Sequence, residues 1–184
     1  IIAPVGEITP VFLAGTTIRR VTLHNLEVIA EKKVRTGERI ILKRAGDVIP
    51  HIIGPAPGAS GGKEIKPPVA CPSCSGPVVE EGESRILRCE NVQGCPAQKA
   101  RRLIHWASRA AADIDAIGQS WIEKMIDAGL LDHPSDFYRL DVETLTKTFE
   151  GEGMGQRLAE RMIASIDSSR EVGLRRAIIG WSIP

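Results

Sequence analysis

The chain has 184 residues, and 24 Lys and Arg against 23 Asp and Glu give a net charge of +1. With 42% hydrophobic and 26% charged residues, the composition excludes an intrinsically disordered chain. No apolar run approaches the ~18–20 residues of a membrane span, and the N-terminus does not read as a signal peptide, so we predict no membrane partner. Aromatic residues make up only 4%, which argues against a sheet that binds nucleic acid by base stacking. Because the first residue is Ile1 rather than Met, we expect a part of a longer protein or a processed chain.

Short strands are predicted in the first third of the chain. The apolar or β-branched runs are 8–13, 16–22, 39–43 and 47–53. Turns are predicted at Ala14-Gly15 and at Arg44-Ala45-Gly46. Asn25 precedes a predicted short helix over 26–33 and is expected to be its N-cap. Several short strands with one inserted helix and no βαβ alternation predict a small β-barrel of the OB type.

Beyond this region, proline and glycine residues over 55–68 predict a linker or an extended excursion. From residue 97 onward, apolar residues recur at helical spacing, as in Leu103, Ile104, Ala107 and Ala111. Similar stripes follow at 121–126 and 158–166, and glycines separate them. Short helices joined by glycine-containing turns are typical of helix-hairpin units.

Four cysteines fall within one 25-residue window, with the spacing Cys71-x2-Cys74-x14-Cys89-x5-Cys95. Four thiolates satisfy tetrahedral zinc, and Cys-x2-Cys lets one tight turn present two sulfurs to the same ion. The alternative, two disulfides, needs an oxidising compartment, and the sequence does not indicate secretion. We therefore predict a closed, structural Zn2+ site with all four cysteines as ligands.

Charge is unevenly distributed along the chain. Residues 1–70 carry ten basic and six acidic residues, and residues 99–109 carry four basic residues and no acid. Such clusters are either ordinary solvated surface or a phosphate-facing patch.

Two turns in the helical region share one pattern, in which an apolar residue and a glycine stand just before a helix. They are Ile117-Gly118 and Met154-Gly155, the second preceded by Gly153. Free backbone N–H groups at such a helix N-terminus favour an anion, although ordinary helix-linking turns have the same composition. Two such turns beside a basic segment favour phosphate binding on DNA.

The predicted fold class is therefore multidomain α+β. We expect an OB-type domain over 1–66, a small four-cysteine zinc module over 67–98, and an all-α helix-hairpin-helix domain over 99–184 that is truncated at its C-terminal end. No catalytic constellation is found in the sequence.

Several motifs, together with the cysteine spacing, match one protein family. They are Gly6-Glu7-Ile8-Thr9-Pro10, Val21-Thr22-Leu23-His24-Asn25, Arg44-Ala45-Gly46-Asp47-Val48-Ile49-Pro50 and His105-Trp106-Ala107-Ser108-Arg109. On these residues the chain resembles the part of bacterial NAD+-dependent DNA ligases that follows their adenylation domain, and the resemblance covers nearly the whole chain.

This resemblance implies nick sealing in duplex DNA during replication and repair, with NAD+ and Mg2+ as cofactors. It also implies a cytoplasmic, nucleoid-associated protein. The family's nucleophilic lysine lies in a Lys-x-Asp-Gly motif, which does not occur in this sequence. We therefore expect this chain alone to be inactive, with the NAD+ and Mg2+ sites outside it, and to act with nicked double-stranded DNA and the adenylation domain of the same ligase.

The resemblance further implies that the barrel follows the minor groove beside the nick. The predicted DNA-binding residues are Arg19, Arg20, Lys43, Arg44, Arg101, Arg102, Gly118, Gly153 and Gly155. Two other functions stay open from the sequence: a free-standing zinc and helix-hairpin-helix adaptor for nucleic acid, and a zinc-stapled interaction module without a nucleic-acid role.

Overall fold

The computed structural model describes residues 1–13, 15–45, 49–83 and 85–181, and the side chains of Arg44, Ala45 and Ile49 are also outside this description. The described residues form an α+β chain with small sheets and several helices. It divides into two compact units, Ile1–Val92 and Gln93–Pro184. Each unit has its own apolar core.

The first unit begins with a hairpin of two antiparallel strands, β1 (Val5–Leu13) and β2 (Thr16–Thr22). Strand β2 has the predicted bounds, whereas β1 starts three residues earlier than predicted. The strand register shifts between Glu7 and Val11. Pro10 lies in this interval, and because proline has no N–H to donate, it interrupts the ladder there.

Helix α1 (Leu26–Lys32) follows the hairpin, and its first turn confirms Asn25 as the N-cap. The Asn25 side-chain oxygen accepts a hydrogen bond from the Val28 N–H at 2.9 Å. Lys33, the last residue of the predicted helix, has a φ of 52° and ends it as the C-cap.

The second hairpin consists of β3 (Ile40–Ala45) and β4 (Ile49–Pro55), again antiparallel. The prediction that Arg44 and Ala45 form a turn is wrong, because the ladder continues through both residues, which oppose Pro50 and Ile49. The rest of that turn and the start of the predicted strand, residues 46–48, lie outside the described residues, as does Ala14 of the first predicted turn.

The proline- and glycine-rich segment is an extended excursion that returns to the first unit. Thr36 and Lys63 exchange two backbone hydrogen bonds of 2.9 and 3.0 Å, and the Ala56 N–H donates to the Arg39 carbonyl at 2.8 Å. Ile65 packs against the core of the same unit. These contacts attach the excursion to the loop before β3.

A third hairpin, absent from the sequence prediction, lies in the cysteine-bearing segment: β5 (Val78–Glu81) and β6 (Ile86–Cys89). Leu87 of β6 is buried with the residues of the first two hairpins and α1, and its carbonyl accepts the Ile2 N–H at 2.7 Å. Among the described strands, the hydrogen-bonded pairs form three separate two-stranded sheets. The shared core, rather than a continuous ladder, joins them. Its buried residues are Ile18, Val21, Leu23, Leu26, Ile29, Val34, Ile52 and Leu87.

The second unit is helical. Its described helices are α2 (Pro96–Ala107), α3 (Gln119–Asp127), α4 (Val142–Thr148), α5 (Gln156–Ser168) and α6 (Leu174–Gly180), with 3-10 turns at Pro134–Arg139 and Ser169–Glu171. None of these helices combines the length and apolar character needed to cross a bilayer.

Apolar stripes of these helices form the core of the second unit, as the sequence predicts. Leu103, Ile122, Met125 and Met162 are each 1% exposed or less. Ala111 is an exception, since it is buried but lies beyond the end of α2. The helix ends because Ser108 adopts extended backbone and its hydroxyl donates to the His105 carbonyl at 2.7 Å.

Candidate metal centre and nucleic-acid interface

The four cysteines converge in space. Their sulfur atoms all lie within 4.8 Å of one another, and the Sγ atoms of Cys74 and Cys89 are 3.5 Å apart. None of the four cysteines forms a disulfide in this structure, so the alternative of two disulfides is not what the structure contains. A tetrahedral metal with metal–sulfur bonds of about 2.3 Å places its sulfurs about 3.8 Å apart. The observed separations are compatible with zinc.

Local backbone structure positions these thiols. The Cys71 N–H donates to the Gly76 carbonyl at 2.9 Å, and the Cys71 carbonyl accepts the Ser75 N–H at 2.8 Å. This tight turn presents Cys71 and Cys74, while Cys89 is the last residue of β6. Cys95 is the N-cap of α2, whose first residue is Pro96. One turn, one strand end and one helix start therefore supply the four sulfurs.

The thiols lie in different electrostatic surroundings. Hydrogen bonds from the backbone N–H groups of Ser73 and Cys74 lower the pKa of the Cys71 thiol to about 7. Burial raises the pKa of the Cys89 thiol to about 12. A cluster of four largely buried sulfurs is the donor set that a borderline-soft divalent metal such as zinc takes.

Glycines begin two helices of the second unit, at the places predicted from the sequence. Gly118 is the N-cap of α3 and Gly155 is the N-cap of α5, both with a ψ of 164° and neither with a side-chain capping hydrogen bond. The apolar residues before them, Ile117 and Met154, are 5% and 6% exposed. Each turn is therefore anchored by a buried side chain and followed at once by an open helix N-terminus.

A third glycine N-cap, preceded by the half-buried Val172, was not among the predicted sites. Gly173 is the N-cap of α6, with a φ of −62°, a ψ of 153° and no side-chain capping hydrogen bond. The sequence contained the pattern, since Val172-Gly173 repeats the apolar-glycine pair directly before a helix.

Neither backbone geometry nor packing requires glycine at the two predicted N-caps. Their φ angles of −76° and −89° suit any residue, and a Cβ atom at Gly118 or Gly155 would meet nothing within 4 Å. Gly153 differs, because its φ of +89° is a conformation that other residues rarely adopt. Gly153 shapes its turn, whereas Gly118 and Gly155 leave free space beside backbone N–H groups.

The predicted cationic residues of the first unit lie on its hairpins. Arg19 and Arg20 are exposed neighbours on β2, and successive side chains of a strand point to opposite faces. Arg20 forms a cross-strand ion pair with Glu7 at 3.0 Å. Lys43 is exposed on β3 opposite His51. The backbone of Arg44 belongs to β3, and its side chain lies outside the described residues.

Two further predicted cations, Arg101 and Arg102, lie on α2 and are exposed. The helix also carries buried Leu103 and Trp106, so these arginines occupy its solvent side.

The fold and the clustered thiols define an α+β protein with a four-cysteine, metal-compatible centre. Comparison with known proteins defines the class of protein more narrowly than the fold does. Residues 1–64 match the model of the NAD-dependent DNA ligase OB-fold domain. Along its whole length, the chain is similar to part of bacterial DNA ligases.

Three relatives illustrate the similarity, and all of them are aligned with 100% of this chain. The chain is 53% identical to DNA ligase 1 of Nocardia farcinica, 40% identical to the DNA ligase of Methylacidiphilum infernorum and 42% identical to that of Coprothermobacter proteolyticus. It covers 28%, 26% and 27% of their respective lengths. The chain thus spans about a quarter of the curated relatives that it matches, and the predicted resemblance is confirmed.

Proposed function

We propose that this chain is the DNA-binding portion of an NAD+-dependent DNA ligase and holds nicked duplex DNA during strand sealing. The observation that carries the proposal is the similarity of the entire chain, at 53% identity, to part of a protein named DNA ligase 1. NAD+ and Mg2+ would act at sites outside this chain, on the adenylation domain that is its expected partner. The ligase would work on DNA in the bacterial cytoplasm, at the nucleoid.

The proposed division into domains follows the sequence boundaries: an OB-fold domain over 1–66, a zinc module over 67–98 and a helix-hairpin-helix domain over 99–184. A barrel is supported by the core that β2, α1 and β4 share. Hairpin units are supported by the repeated pattern of a buried apolar residue, an N-cap glycine and a helix.

Zinc would be held by Cys71, Cys74, Cys89 and Cys95 and would supply a structural cross-link. The segment has a short hairpin and few large apolar side chains, so a metal is a stronger source of stability there than burial. The cysteines would bind as thiolates and hold the turn, the end of β6 and the start of α2 together.

DNA would be held chiefly through its backbone. Arg19, Arg20, Lys43, Arg44, Arg101 and Arg102 would neutralise phosphates, and the turns with Gly118, Gly153 and Gly155 would present backbone N–H groups to them. Phe12 is the sole aromatic residue among residues 1–70, so base stacking has little support in that region. A phosphate near Arg20 would compete with Glu7 for the guanidinium.

Fluorescence anisotropy with nicked duplex, intact duplex and single-stranded DNA of equal length tests the proposal. We expect the zinc-loaded chain to prefer nicked duplex. If all six cations contact phosphates, log K should fall with log salt at a slope of about −5. Equal affinity for all three DNAs would favour the free-standing adaptor, and no binding would contradict a DNA-binding function.

Activity provides a second test. Labelled NAD+ should leave no covalent AMP on this chain, and ligation should appear when a separately produced adenylation domain is added. A covalent adduct on the isolated chain would contradict the assignment of catalysis to another domain.

A further inference from the structure

Two side-chain hydrogen bonds connect the glycine-capped turns of the second unit to each other's helices. The Lys124 Nζ donates to the Glu152 Oε2 at 2.6 Å, and the Ser165 Oγ donates to the Asp115 Oδ1 at 3.0 Å. Lys124 belongs to α3 and Ser165 to α5.

The two acidic residues occupy equivalent places. Asp115 is three residues before Gly118, and Glu152 is three residues before Gly155. Lys124 lies on α3, which follows Gly118, and bonds to Glu152 in the turn before Gly155. Ser165 lies on α5, which follows Gly155, and bonds to Asp115 in the turn before Gly118. The contacts are therefore reciprocal: each turn is held by the helix that follows the other.

The contact between Lys124 and Glu152 has further support from aromatic rings. The Lys124 ammonium lies 4.8 Å from the centroid of the Trp121 ring, and that ring meets buried Phe149 edge-on at 5.5 Å. The Phe149 carbonyl accepts the Glu152 N–H at 3.0 Å. The lysine is thus held between a ring and a carboxylate, and the backbone of Glu152 is tied to the same cluster.

We propose that Lys124 and Glu152 form a positioning pair that sets the second glycine turn against the first, so that both helix N-termini can address the DNA backbone together. This inference rests on the proposed function. A carboxylate in a turn that faces phosphates weakens binding by charge repulsion, so its presence there is explained if it orients the turn. Ser165 and Asp115 form the corresponding tie of the first turn.

The test compares Glu152→Gln with Glu150→Gln in the full zinc-loaded chain. Both substitutions remove one negative charge from the same turn, but exposed Glu150 pairs with no described basic residue. If the carboxylates act only through their charge, both variants should bind nicked duplex as tightly as wild type or more tightly. If Glu152 positions the turn, E152Q should bind about two- to fivefold more weakly than wild type, whereas E150Q should not.

Two further measurements separate positioning from folding. Urea unfolding checks that every variant is folded under the binding conditions, and Glu152→Asp retains a carboxylate that the flexible lysine can follow, so it should bind close to wild type. The proposal is overturned if E152Q binds as tightly as E150Q, or if E152D is as weak as E152Q. Failure of the wild-type chain to bind duplex DNA would instead refute the underlying function.

Discussion

Substituting alanine at Gly118 or Gly155 separates DNA contact from folding stability. A methyl group at either position meets no atom within 4 Å, and the φ angles are ordinary. Alanine is a poorer N-cap than glycine, at a cost of up to about 1 kcal/mol. It also restricts the unfolded chain, which stabilises by about 0.4–1 kcal/mol. The two terms nearly cancel, so the free energy of unfolding should change by less than about 0.5 kcal/mol.

DNA binding should respond much more strongly. A hydrogen bond from a backbone N–H to a charged phosphate contributes about 1.5–3 kcal/mol. A methyl group beside that N–H keeps the phosphate at a distance, so losing one contact corresponds to roughly tenfold weaker affinity or more. Each variant should therefore fold normally and bind nicked duplex poorly.

Gly180→Ala is the matched control, because it should have the opposite effect. A Cβ atom there would lie 2.8 Å from the Trp106 Cε3 and 3.0 Å from the Ala111 Cβ. Overpacking of this kind costs about 1–3 kcal/mol. Urea unfolding and anisotropy titration at one salt concentration, run on all three variants, give the comparison. Wild-type affinity in G118A and G155A, or a loss of stability matching that of G180A, would refute the reasoning.

Three other predictions concern the fold and the metal. Asn25→Ala removes the cap of α1 and should cost about 1 kcal/mol in urea unfolding, and an unchanged midpoint would contradict the cap's role. Hydrogen bonds from the backbone N–H groups of His133 and Asp132 lower the pKa of Asp136, so its stabilisation is present above the ordinary aspartate pKa and is lost as pH falls through the lowered value. The free energy of unfolding of Asp136→Asn should therefore fall less than that of wild type between about pH 7 and pH 3. Equal falls would show that other groups cause the acid sensitivity. A chelator should release zinc and disrupt the cysteine segment while helical circular dichroism persists, and elemental analysis that finds no zinc in the purified chain would contradict the metal.

Local signals in the sequence predicted much of this fold. Asn25 could be predicted as the N-cap because its side-chain oxygen accepts the N–H of Val28, only three residues along the chain. No distant residue takes part in that contact. The apolar stripes of the helices in the second unit could also be predicted, because their spacing is a pattern within each helix. By contrast, the attachment of Lys63 to Thr36 and the burial of Leu87 depend on contacts between residues far apart in the chain. The continuation of β3 through Arg44 likewise depends on pairing with β4, and pairing overrode the turn propensity of those residues.

The candidate site shows the same division between local and distant information. The sequence identified the glycine turns and the four cysteines, but it assigned one role to all glycines in the turns. The structure separates them, because a positive φ accounts for Gly153, whereas Gly118 and Gly155 are helix N-caps with ordinary φ angles and open space beside them. Glycine is a favourable N-cap at both positions, and under the proposed function the open space would also admit a phosphate. The ties from Lys124 and Ser165, which span 28 and 50 residues, then explain how two such openings keep a fixed relation to each other.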